Sequence, residues 1–168
     1  TRFAPKTKKV EQAALTEKLY GEVESDRSYA FDYCCFRITN YRPEVPTRHS
    51  IASADLKHDL RLLIEDLSDS ADISVSEVQE PVHTVDELSK KFKVSTKTIS
   101  RWRDGGLVSR RMLFGGRKRV GFLQSSVDQF VARNRGKIKR GERFSQLSED
   151  EKSEMIERAR QLVEGGAS

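Results

Sequence analysis

Residues 84–134 read TVDELSKKFKVSTKTISRWRDGGLVSRRMLFGGRKRVGFLQSSVDQFVARN, and their punctuation decides the fold. Thr84 followed by Glu87 is a capping box. The hydroxyl accepts from a free backbone N–H at a helix start, and the carboxylate reaches back to the cap. Val85, Leu88 and Phe92 then give a short apolar face, and Val94 ends the helix. Ser95 caps a second helix running through Arg103, in which Ile99 and Trp102 face inward. A turn of about three residues separates the two, as a helix-turn-helix requires. Asp104, Gly105 and Gly106 stop the second helix, and Leu107 returns to the core.

A hairpin pattern follows. Residues 110–114 and 117–122 are strand-like, and Gly115–Gly116 is a favoured two-residue turn between them. Ser125 or Ser126 caps a third helix, with Val127, Phe130 and Val131 facing in. Helix, turn, helix, basic hairpin, helix is the order of a winged helix.

Charge singles out the same region. Residues 81–144 hold 17 Lys/Arg against 5 Asp/Glu, a net of +12, while residues 1–80 carry −4 and residues 145–168 carry −3. The whole chain is only +5. Local asymmetry of this size points to a polyanion partner better than overall charge does. The plainer alternative is a solvated basic surface.

Outward from this module the sequence is mainly helical. Residues 1–9 are a basic lead-in, and 10–23 read as a helix with Val10, Ala13, Ala14 and Leu15 towards one side. The aromatic run 28–39 fits a strand or a buried helix. Ala30, Phe31, Cys34, Cys35 and Ile38 at 3–4 spacing favour the helix. Pro43 and Pro46 mark a loop. Residues 52–67 form a clear amphipathic helix with Ser53 as its cap and a stripe of Leu56, Leu60, Leu63, Ile64 and Leu67. That stripe serves as core against the earlier helices or, failing that, as a partner or dimer surface. Residues 68–80, SDSADISVSEVQE, read as an acidic linker closed by Pro81. In residues 133–143, RNRGKIKRGER, the two glycines argue against a continuous helix. A last helix begins at a Ser148 cap, runs on Met155, Ile156, Ala159, Leu162 and Val163, and stops at Gly165 and Gly166. The expected organisation is a helical domain over 1–80, a three-helix module with a two-stranded wing over 81–135, and a basic linker with a C-terminal helix over 136–168.

Several function classes lack support. Cys34 and Cys35 are sequence neighbours, which rarely bridge, and read as small buried residues. His49, His58 and His83 are scattered without ligand spacing, so no metal site is expected. No phosphate-binding glycine loop or nucleophile–base arrangement appears, so neither an enzyme nor a cofactor is expected. No run approaches the roughly 18 apolar residues of a membrane span. A cytoplasmic protein is expected, and the opening Thr1 suggests a piece of a longer chain.

The 84–134 stretch resembles the MerR/excisionase-like DNA-binding domains. Those carry T-x-x-E-L/A-A, then V-S-x-x-T-I/V-R-R-W, a glycine-turned wing, and S-x-x-D/E-x-F. The chain follows that order over about 50 residues, departing at Ser100, where the family often has Arg; Arg101 and Arg103 keep charge nearby. The flanks FRITNYRP, ADLKHDLRLLIEDLSDSAD and FSQLSEDEKSEMIERARQL resemble the N-terminal region of bacterial RNA polymerase sigma factors that carry such a domain ahead of the usual sigma regions. Those later regions are not recognisable here. The resemblance implies a transcription initiation factor that contacts double-stranded DNA, with RNA polymerase core as a further partner.

In such a module Thr96, Lys97, Thr98 and Arg101 would enter the major groove, and Arg103 would reach the backbone. Arg110, Arg111, Arg117, Lys118 and Arg119 on the hairpin would grip phosphates or the adjacent minor groove. Trp102 belongs to the core on this reading. The competing reading is a protein-interaction module that docks on polymerase or a regulator without touching DNA.

Overall fold

Helix α1 (Lys6–Glu22) buries Gln12, Ala13, Thr16 and Leu19. The buried face is therefore rotated from the expected one, and Ala14 is exposed. Thr16 tolerates burial because its hydroxyl donates to the Gln12 carbonyl at 2.6 Å. The computed structural model describes residues 3–145 and 149–165. A three-residue strand, β1 (Ser28–Ala30), leads into α2 (Phe31–Thr39), so the aromatic run is helical as the 3–4 spacing predicted. After the Pro43–Pro46 loop, β2 (Ser50–Ala52) pairs antiparallel with β1 and opens α3 (Ser53–Ser70). Leu19, Val23, Cys34, Ile38, Leu56 and Leu60 close one core among the three helices. The leucine stripe of α3 is thus core at those positions. Ser53 is not the cap: it is the first helical residue, buried, and its N–H donates to the Arg27 carbonyl at 2.8 Å. Pairing of β1 with β2 supplies a backbone acceptor where a side chain was expected.

The second core is built by residues 82–138. It contains β3 (Val82–His83), α4 (Val85–Lys91), α5 (Thr96–Asp104), β4 (Arg110–Phe114), β5 (Arg117–Leu123) and the first part of α6 (Gln124–Ser145). Leu88, Ile99, Leu107, Phe122 and Val127 are almost wholly buried, with Trp102 wedged edge-on against Phe92 at 5.4 Å. Each such side chain contributes about 1.5–3 kcal/mol on burial. The antiparallel sheet has the order β3-β5-β4. Gly115 (φ 57°) and Gly116 (φ 82°) turn the hairpin, and positive φ at both central positions is what a tight hairpin turn needs.

Three features depart from the expected organisation. Residues 68–80 are not a free linker but a packed strap, whose first three residues are the end of α3. Ala71 and Ile73 are buried with Met112, and Val75 and Val78 lie against them. The strap also satisfies the outer edge of β4: Leu113 N–H donates to the Ile73 carbonyl at 2.8 Å, and Arg111 N–H to Ser68 Oγ at 3.0 Å. An uncovered edge would expose those donors to foreign strands. Second, α6 is started by Glu80, not by a serine. The Glu80 carboxylate accepts from the Ser125 N–H at 2.7 Å and from its hydroxyl at 3.0 Å. Third, α6 continues beyond Arg133. It is interrupted at Asn134 (φ −123°, ψ 24°) and resumes far enough to bury Ile138 in the second core. The final helix, α7, spans Glu149–Gly165; the predicted Ser148 cap lies outside the described residues. Among the described residues the chain is mainly helical, with small antiparallel sheets, and no helix is long and apolar enough to cross a membrane.

Candidate nucleic-acid interface

The positioning of α4 and α5 follows from two local caps. Thr84 Oγ1 accepts from the Glu87 N–H at 3.2 Å, and Glu87 Oε2 accepts from the Thr84 N–H at 2.7 Å. That backbone bond holds the Glu87 carboxyl below its ordinary range. Ser95 Oγ accepts from the Thr98 N–H at 3.1 Å and starts α5. Between the helices Lys93 adopts φ 51°, the left-handed conformation that reverses the chain. Ile99 and Trp102 then pin α5 by its inner face, leaving Thr96, Lys97, Ser100 and Arg101 exposed.

The ten cationic and hydroxyl residues expected to contact DNA divide into distinct groups. Lys97 and Arg101 stand one turn apart on the exposed face of α5, with no ion-pair partner among the described residues. Arg117 and Arg119 at the hairpin are likewise exposed and unpaired. Thr96 is exposed on the first turn of α5. Thr98 is only half-exposed, and its hydroxyl lies 3.0 Å from Ser95 Oγ within the cap, which makes it a capping residue first.

Two residues are engaged inside the protein. Arg110 is buried beneath the hairpin, its Nε and Nη2 at 3.1 and 2.6 Å from Glu17 Oε2. The Ser126 hydroxyl donates to the other Glu17 oxygen, so the pair ties α1, β4 and α6 together. Arg103 lies on the inner side of α5, where Nη2 meets Glu65 Oε1 at 2.6 Å and Nε meets Ser109 Oγ at 2.8 Å. The Ser109 hydroxyl donates to the same Glu65 oxygen at 2.9 Å, which closes the network. Both guanidiniums are held by carboxylates of other elements; the Arg110 side chain is 10% exposed and that of Arg103 32%.

Arg111 and Lys118 fall between these groups. Lys118 Nζ donates to the Asp69 carbonyl at 2.9 Å and lies 2.9 Å from Asp72 Oδ1 and 3.2 Å from Asp69 Oδ1. Arg111 Nε lies 3.4 Å from Asp69 Oδ1. The Lys118 hydrogen bond to Asp72 lowers that carboxyl's pKa, and the Asp72 and Asp69 contacts raise that of the ammonium. Both cations remain substantially exposed, so they are engaged but reachable.

What the sequence did not single out is the carboxylate set that sorts these cations: Glu17, Glu65, Asp69 and Asp72. Glu65 and Asp69 are four residues apart, the spacing of one helical face, and Asp72 follows in the turn after α3. That spacing was a signal for these two alone. Arg61 was also missed as a positioning residue. Its Nη1 donates to the Arg103 carbonyl at 3.1 Å and sits 3.4 Å from Asp104 Oδ1, binding the end of α5 to α3. Cations at a helix C-terminus satisfy free carbonyls and oppose the dipole.

The chain matches no protein-family model, and comparison with curated proteins and with solved structures likewise finds no match.

Proposed function

We propose that this chain binds double-stranded DNA through a winged helix-turn-helix made of α4, α5 and the β4–β5 hairpin, as part of a sigma-factor-like transcription initiation factor. On this reading α5 enters the major groove. Lys97 and Arg101 meet base edges, where Arg and Lys favour the guanine O6 and N7 acceptors. Thr96 contacts a thymine methyl or a phosphate. Arg117 and Arg119 bind backbone phosphates and fix the register. The observation that carries the reading is the sorting of charge: the largely buried carboxylates of Glu65 and Glu17 take Arg103 and Arg110, while Lys97, Arg101, Arg117 and Arg119 are exposed and have no ion-pair partner among the described residues. Free cations on a helix held at its inner face, together with free cations on a glycine-tipped hairpin, suit a rod of regularly spaced phosphates.

The test is a fluorescence-anisotropy titration of a random-sequence duplex against ionic strength. Wild type binds at about 50 mM salt, and each phosphate contact contributes about 0.9 to the log–log salt slope. R117Q/R119Q flattens that slope by roughly 2. Absence of binding at low salt refutes the proposal.

A second reading, docking on polymerase core or a regulator, is favoured by α7. Met155, Ile156, Leu162 and Val163 form an apolar helix face that is more than half exposed. The two readings are compatible, since the apolar face and the free cations lie on different elements.

A further inference from the structure

We propose that Asp69 and Asp72 compete with DNA phosphate for Lys118 and Arg111, holding down the hairpin's sequence-independent grip so that discrimination rests on α5. This inference depends on the DNA-binding reading above and goes beyond it.

An ammonium has three donors. Lys118 has three acceptors around it: the Asp72 carboxylate at 2.9 Å, the Asp69 carboxylate at 3.2 Å and the Asp69 carbonyl at 2.9 Å. A phosphate therefore displaces an existing partner of Lys118; it does not fill a vacancy. Arg111 shares Asp69 at 3.4 Å. Its neighbours Arg117 and Arg119 on the same hairpin have no such partner among the described residues.

The carboxylates cannot retire when DNA arrives, because their backbone is locked to β4 on both sides of them. Ser68 Oγ receives the Arg111 N–H, and the Ile73 carbonyl receives the Leu113 N–H. Ala71 and Ile73 are buried against Met112 between these two bonds. Asp72 itself sits at φ 47°, a turn conformation fixed by that anchoring. The cations, by contrast, sit at the ends of long side chains, which can turn to a new partner without moving the backbone. The contest is thus between carboxylates on an anchored backbone and an incoming phosphate for the Lys118 and Arg111 side chains. Phosphate contacts carry no sequence information, so weakening them lowers binding to every sequence and leaves the base contacts of α5 with a larger share of the total.

The test compares the full chain with D69N/D72N. Asn keeps the shape and removes the charge, and thermal unfolding checks that the variant remains folded. D69N/D72N is expected to bind random duplex about fivefold or more tightly at low salt and to steepen the salt slope by about 1–2. The gain is expected to vanish in a K118Q/R111Q background. D59N/D66N is the charge-matched control: both residues are exposed on α3, and among the described residues no ion pair joins either to the hairpin. An equal gain from D59N/D66N, or a gain from D69N/D72N that persists without Lys118 and Arg111, would overturn the proposal in favour of a bulk-charge effect. No gain with intact binding overturns it as well. Failure of wild type and every variant to bind duplex would instead bring down the DNA reading, and the competition with it.

Discussion

Replacing Arg110 with Gln distinguishes a structural cation from a DNA-contacting one. The guanidinium and the Glu17 carboxylate are 10% and 13% exposed and share two contacts at 2.6 and 3.1 Å. Removing one partner of a buried pair leaves the other charge uncompensated, which costs about 3–5 kcal/mol. Both side chains keep a little exposure, and Ser126 still donates to Glu17, so the lower end applies, about 3 kcal/mol. For a chain of this size that corresponds to a fall in Tm of roughly 6–12 °C. The assay is thermal and urea unfolding of R110Q, E17L and E17L/R110M. Replacing both partners by apolar groups is expected to recover most of the loss, because neither charge is then stranded. DNA affinity of R110Q, measured well below its Tm, should keep the wild-type salt slope. The reasoning is refuted if R110Q unfolds within about 1 °C of wild type while its salt slope drops by about 0.9, the signature of a lost phosphate contact.

Other outcomes follow from the same structure. Thr84→Ala removes the hydroxyl half of the α4 capping box and should cost about 1 kcal/mol in chemical denaturation. Glu87, whose carboxyl is depressed mainly by the Thr84 N–H, gives stability that is present above its unfolded pKa and is lost as pH falls through its lower folded value. An acid titration of Tm should therefore show a limb below pH 4.5 that is shallower in E87Q; superimposable profiles would contradict it. At Gly121 an added Cβ meets Val82 Cγ1 at 2.9 Å and Phe114 Cζ at 3.1 Å, so Gly121→Ala should cost about 1–3 kcal/mol and be partly relieved by V82A. Gly115→Ala meets nothing within 4 Å yet forces φ 57° on a residue with a Cβ, and should cost about 1–2 kcal/mol with no relief from V82A. Ile138→Ala tests the continuation of α6: it should cost roughly 2–3 kcal/mol in denaturant unfolding if Ile138 is core, and almost nothing if the helix ends near Arg133.

The legible features were those whose chemistry is local. The Thr84–Glu87 box, the Ser95 cap and the Gly115–Gly116 turn each span four residues or fewer, so residue type and spacing fix them. Ile99 and Trp102 were placed inward by helical period alone. The illegible features depend on packing between distant segments. Glu17 and Arg110 are 93 residues apart, and Glu65 and Arg103 are 38 apart. A net charge of +12 cannot say which cations are already neutralised, because the answer lies in how α1 and α3 meet the hairpin. The strap was misread for a related reason. Its composition is polar, but Ile73, Val75 and Val78 suffice to pack it once Met112 and Phe114 are alongside. Gly136 did not break α6, and the interruption came instead at Asn134, whose side-chain amide donates to the Phe130 carbonyl at 3.0 Å. A polar side chain competing for helix carbonyls mattered more than glycine's conformational freedom.

The most direct test of the central claim is a two-dimensional NMR titration of the full chain with short duplex DNA, following backbone amides and arginine Nε–H groups. The expected shifts centre on Thr96, Lys97 and Arg101 of α5 and on residues 115–119 of the hairpin, with the Nε–H signals of Arg103 and Arg110 unmoved in their carboxylate networks. Shifts centred on Arg103 and Arg110, shifts confined to α7, or none at saturating duplex would contradict it.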